Sequence, residues 1–131
     1  MFKRLPDKIS LSTILIILIS TFVWALPKET IVKFASQPNP FDSRNQNTSI
    51  IYYLNSNAET TLKIFDLLGF MVKEYRFYSG ENGAKKGWNR ISWNGENEVG
   101  RKVSKGGYIC FLEVNDNGGR STAMYKIGVV H

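Results

Sequence analysis

The stretch Thr48-Ser-Ile-Ile-Tyr-Tyr-Leu54 sends Ile50, Tyr52 and Leu54 to one side of an extended chain and Ser49, Ile51 and Tyr53 to the other. Side chains alternate across a strand, so a period of two with one apolar side is the mark of a half-buried β-strand. The same signature recurs. Thr60-Thr-Leu-Lys-Ile-Phe-Asp66 directs Leu62 and Ile64 inward with Lys63 outward, and Asn89-Arg-Ile-Ser-Trp93 aligns Ile91 with Trp93. Gly107 to Val114 and Ser121 to Val129 read as the two arms of a hairpin about Asn115-Asp-Asn-Gly-Gly119, with Ala123, Tyr125, Ile127 and Val129 on one face of the second arm.

Between these runs lie turn residues. Asp66-Leu-Leu-Gly69 reads as a tight turn in which Gly69 can take a positive φ. Met71 to Tyr78 returns with a mixed pattern that suggests an edge strand or a bulge, and Gly80–Gly87 and Asn94–Gly106 are loops by composition. Thr30-Ile-Val-Lys-Phe34 is a candidate first strand, ended by Pro38 and Pro40. About seven short strands at this spacing, with no helical period among them, predict an all-β, Ig-like or fibronectin-III-like antiparallel sandwich. Trp93 is the expected centre of its core, with Tyr108, Ile64, Leu62 and Cys110 around it, because one large aromatic dominates burial in a small domain.

The N-terminus reads differently. Met1 to Lys8 carries three cations against one anion, and a largely apolar stretch to Trp24 ends at Val23-Trp24-Ala25. A basic start, a short apolar centre and a small-residue exit describe a secretory signal peptide over 1–25. The apolar stretch, broken by Ser10, Ser12, Thr13, Ser20 and Thr21, is short of the roughly 20 apolar residues a membrane helix needs. The expected organisation is therefore 1–25 signal, 26–36 lead-in carrying the candidate first strand, and 37–131 sandwich. Export to the periplasm, the cell surface or the medium follows, with membrane contact only through an uncleaved signal.

Composition narrows the function classes. A single cysteine excludes an intrachain disulfide, and Cys110 shares a strand face with Tyr108 and Leu112, as a structural thiol would. The one histidine is His131, the last residue, so imidazole-based triads and zinc sites have nothing to build on. Glu96 and Glu98 lie in a polar loop and read as solvated, and the Asn94–Gly100 loop lacks regular calcium-ligand spacing. The net charge of +6 is spread as single residues, with Lys85, Lys86 and Arg90 its densest group, and gives no nucleic-acid stripe. No catalytic residue, metal ligand or cofactor is expected.

Taken in order, Pro38-Asn39-Pro40-Phe41, Ile50-x-Tyr52-x-Leu54, Leu62-Lys-Ile-Phe-Asp66-x-x-Gly69, Trp93-Asn94-Gly95 with Gly100, Gly107-Tyr108 and Lys126-Ile-Gly-Val129 resemble a known pattern. It is that of the FlgD-type Ig-like domain of flagellar hook-capping proteins, which is closely similar to the C-terminal sorting domains of type IX secretion cargo. The resemblance spans about 95 residues and implies a sandwich that is usually appended to longer exported bacterial proteins. The chain departs from it at Asn94, where the family often has Asp, and at Asp42-Ser43, where the family runs on with Asn-Pro. With a signal peptide in place of the rod-engaging region, hook capping itself is not expected.

Two functional expectations follow. The first is a non-enzymatic module that docks to another envelope or secreted protein. Its candidate surface is Trp88, Phe65 and Tyr53, the aromatics that alternate away from the core. The second is a sorting domain read by an export apparatus through its last strand, where Lys126, Ile127 and Val129 are the candidate residues.

Overall fold

The computed structural model describes residues 29–131, and the expected signal segment lies outside them. Seven strands follow one another: β1 (Ile31–Gln37), β2 (Thr48–Leu54), β3 (Glu59–Asp66), β4 (Met71–Phe77), β5 (Gly87–Trp93), β6 (Gly106–Asp116) and β7 (Gly119–Val129). They form two antiparallel sheets, β1-β2-β5 and β4-β3-β6-β7. The all-β sandwich expected from the period-two runs is the fold observed. Burial follows the alternation: in β2 every second residue from Thr48 to Leu54 is buried, and in β6 every second residue from Tyr108 to Val114.

The apolar faces of the two sheets meet at Trp93, which is fully buried. Its indole lies edge-on to Phe41 at 5.6 Å and to Tyr108 at 5.8 Å between ring centroids. Edge-to-face packing sets the positive rim of one ring against the negative face of the next. Tyr108, at the start of β6, donates its hydroxyl to the carbonyl of Ser104, four residues upstream. That is the tyrosine corner of Ig-like sandwiches, which fixes where a strand enters its sheet. Leu62, Ile64 and Cys110 are fully buried in the same core.

The turns match their residues. Asp66 Oδ1 accepts the N–H groups of Leu68 and Phe70, both at 2.9 Å, and Gly69 has φ +90°. β4 is an edge strand with a register shift opposite Ile64 and Phe65, which accounts for its mixed pattern. The hairpin loop is shorter than its composition suggests. β6 continues to Asp116 and β7 begins at Gly119, leaving Asn117-Gly118 as the turn, with Asp116 Oδ1 accepting the Gly118 N–H at 2.8 Å. Asn-Gly suits a two-residue hairpin turn, so pairing extends to its flanks instead of stopping short of a five-residue loop.

The segment Pro38–Ser43 leaves the first sheet and closes the second. Phe41 makes a parallel bridge to Val129, donating its N–H to the Gly128 carbonyl at 2.9 Å and accepting the N–H of Val130 at 3.0 Å. Its side chain is 1% exposed and packs on Trp93. One segment thus covers the lower part of the β7 edge and plugs that end of the core.

Candidate functional site

The sandwich carries two outer faces, and the three candidate surface aromatics do not share one. Tyr53 on β2 and Trp88 on β5 are direct cross-strand partners on the outer face of β1-β2-β5, with ring centroids 5.3 Å apart at 82°. Lys33 on β1 is the cross-strand partner of Tyr53, and its Nζ lies 6.0 Å from the centre of the Trp88 ring. Phe65 lies on the outer side of β3, in the other sheet, opposite Met71 and Ile109. The chain therefore presents two separate surfaces.

The Phe65 face carries an apolar cluster bordered by the charged side chains of Lys63, Glu74, Glu113 and Lys126. Phe65 and Ile109 are half-buried neighbours, Phe111 lies two positions along β6, and Met124, its partner on β7, is 70% exposed. The β3–β4 turn adds Leu67, Leu68 and Phe70, all exposed. Exposed apolar clusters of this kind mark interaction surfaces more often than scattered single residues do. Ile109, Phe111 and Met124 belong to no candidate set read from the sequence. The available signal was the unbroken run Tyr108-Ile-Cys-Phe-Leu112, which leaves no polar side to its strand.

The candidate sorting residues divide by the pleat of β7. Ile127 is fully buried, Val129 is 3% exposed, and Lys126 points out with its carbonyl accepting a bond from the Asn39 side chain at 2.8 Å. Two of the three are core residues, and only Lys126 is open to a partner.

The polar groups are engaged with the chain itself. Asn94 Oδ1 accepts the N–H of Glu96 at 3.0 Å, and Asn97 Oδ1 accepts those of Val99 and Arg101 at 3.1 and 3.0 Å. The oxygens of this loop thus shape its turns. Glu96 lies 3.9 Å from Lys102, whereas Glu98 faces Lys73 at 3.8 Å and accepts the Glu74 N–H, so the two carboxylates serve different partners. Among the described residues no three His, Cys, Asp or Glu side chains gather as metal ligands. Burial pushes the Cys110 thiol well above its ordinary value, and likewise the Tyr52 phenol, whose hydroxyl donates to the Gly83 carbonyl at 2.7 Å.

Solved structures share this arrangement of strands. PorU from Porphyromonas gingivalis, described as dimeric and latent, matches 74% of this chain at 23% identity with a TM-score of 0.57. The sandwich is similar in fold to solved FlgD structures. FlgD of Helicobacter pylori is 27% identical, with 81% of this chain and 73% of that one covered and a TM-score of 0.50. PorZ of P. gingivalis, a surface component of the type IX secretion system, covers 75% of this chain at 18% identity and a TM-score of 0.51. No family model matches the chain, and no curated protein does. The chain corresponds to only 9% of PorU and 11% of PorZ, so the likeness to those two is confined to one sandwich fold and does not extend to their full architecture.

Proposed function

We propose that this chain is a non-enzymatic, exported β-sandwich module that docks to another protein at the bacterial envelope. The observation that carries the reading is the cluster of Phe65, Ile109, Phe111 and Met124 on the outer face of β4-β3-β6-β7, set among Lys63, Glu113 and Lys126, with exposed Leu68 in the adjoining turn. FlgD and PorZ are parts of protein assemblies, which supports a docking role for the shared domain. A rigid sandwich contributes a preorganised surface, so little ordering cost opposes association. The absence of an imidazole beyond His131 and the separate engagements of Glu96 and Glu98 support the non-enzymatic part.

The test places a photo-activatable amino acid at Met124 or Leu68, and at Ser92 on the opposite face as control, in cells of the native host. One discrete protein adduct from Met124 and Leu68, and none from Ser92, is the expected result. Equal adducts from all three positions, or none, would remove the docking face.

A second reading, a type IX sorting domain read through Ser121–His131, is favoured by the likeness to PorZ. Deleting Lys126–His131 cannot test it cleanly, because Ile127 and Val129 are core residues and the fold would be lost with the signal. Lys126→Glu alters only an exposed position. Unchanged surface delivery of a folded Lys126→Glu protein would count against recognition at this strand.

A further inference from the structure

The outer face of β1-β2-β5 combines an aromatic plate with cations, and among the described residues none of its outward strand positions is a carboxylate. Its outward positions run Lys33, Ala35 and Gln37 on β1, Ser49, Ile51 and Tyr53 on β2, and Trp88, Arg90 and Ser92 on β5. Trp88 is 54% exposed, braced edge-to-face by Tyr53. It forms the shared wall of two open hollows, of about 580 Å³ beside Lys33 and Gln37 and about 380 Å³ beside Lys85 and Arg90. Lys33, Lys85 and Arg90 form no ion pair among the described residues, whereas five other cations do. A positive face without internal neutralisation favours an anionic partner, with attraction that falls as salt rises.

The shape selects among anions. A folded protein partner is held mainly by side chains driven into enclosed, desolvated pockets, and both hollows here are open to solvent. A nucleic-acid strand is tracked by a line of cations with several stacking platforms. Here one indole stands between cations on two sides. The negative face of an indole attracts the polarised C–H groups on the flat side of a sugar ring. Gln37, Asn82, Ser49 and Ser92 offer amides and hydroxyls to sugar hydroxyls, and the cations can meet ring carboxylates. The geometry points to an acidic polysaccharide of the polyuronate kind as the ligand of this face, stacked on Trp88 and held by Lys33, Lys85 and Arg90. This face lies opposite the one that carries Phe65, so the inference does not depend on the docking reading.

Affinity electrophoresis of the full chain tests it, with polygalacturonate, uncharged dextran, poly-L-glutamate and oligothymidylate as probes. Polygalacturonate should retard the protein at low salt and lose its hold at high salt, and dextran should bind weakly or not at all. Trp88→Ala should weaken polygalacturonate binding about tenfold. Arg90→Glu on the rim should weaken it as well, and keeps the test decisive should Trp88→Ala disturb folding. Poly-L-glutamate bound as tightly as polygalacturonate would reduce the face to a charge patch for acidic polypeptide and overturn the proposal. So would oligothymidylate as the tightest ligand, or failure of polygalacturonate to bind.

Discussion

Asn39 Oδ1 accepts the N–H of Gly128 at 2.8 Å, and Asn39 Nδ2 donates to the carbonyl of Lys126 at 2.8 Å. A single side-chain amide thereby replaces a neighbouring strand. In the β6–β7 hairpin the pairs flanking the turn bond each other, so odd-numbered residues of β7 bond β6 and even-numbered ones face the open edge. Asn39 and Phe41 cover that edge at Lys126, Gly128 and Val130, and among the described residues no strand covers Arg120, Thr122 and Met124.

Amide hydrogen exchange should follow this division. Gly128 and Val130 are expected to exchange slowly, and Thr122 and Met124 fast, although all four lie at the same edge. Asn39→Ala should move Gly128 to the fast group and cost about 1 kcal/mol of stability. Equal protection along the whole edge would contradict the assignment.

The indole Nε1 of Trp93 donates to the Glu96 carbonyl at 2.9 Å, which ties the core to the Asn94–Gly106 loop. Trp93→Ala should destabilise the fold by about 3–5 kcal/mol. Trp93→Phe keeps an aromatic but leaves the Glu96 carbonyl without its donor, and should cost less. Gly95, two residues on, has φ +80°, and a Cβ there would lie 2.6 Å from Ser43 Cβ. Gly95→Ala should therefore be destabilising through both strain and overlap. Urea melts of the three variants would order these effects; a near-neutral Trp93→Ala would mean that the core does not centre on this ring.

Asn89 is 1% exposed, and its amide is saturated by backbone. Oδ1 accepts from Gly83 at 2.8 Å and Lys85 at 3.3 Å, and Nδ2 donates to Lys85 at 2.9 Å and Gly87 at 3.2 Å. This one side chain organises the Gly80–Gly87 loop. Asn89→Ala leaves several backbone groups short of partners, at about 1–3 kcal/mol for each one that stays buried. Asn89→Leu should be no better, since volume does not replace the lost bonds. Calorimetry showing Asn89→Leu as stable as the parent chain would refute this role.

The strands were legible because most of them alternate cleanly: Thr48–Leu54 reads the same in sequence and in burial. The roles of Asn39 and Phe41 were not, because a Pro-Asn-Pro-Phe segment has no period and its partners lie almost 90 residues away. The joint surface of Trp88, Tyr53 and Phe65 failed for a related reason. Alternation says which residues leave the core, but the sheet that each strand joins is fixed by non-local pairing. Asn89 was hidden by its chemistry, since a polar residue at an inward position looks like a strand end until its four backbone partners are known.

Cys110 on β6 lies between Ile64 and Tyr125 and has no exposed surface. Burial raises its thiol above the ordinary 9.0. Tyr75 moves in the same direction, from 10.0 up to about 12, mainly by burial and secondarily by the nearby Glu98 carboxylate. These groups stay protonated in the folded chain at pH values where the unfolded chain ionises them. The unfolded state therefore binds fewer protons above roughly pH 9, and stability, whole below that pH, falls as pH rises. Urea midpoints should decline between roughly pH 9 and 11, and Cys110→Ala should lose the first part of that decline. The thiol should also resist alkylation at pH 8 and react only at the rate at which the sandwich unfolds, because the thiolate is the nucleophile and neither it nor its access exists in the fold. Rapid alkylation of the native chain would place Cys110 at the surface and break the packing described for β6.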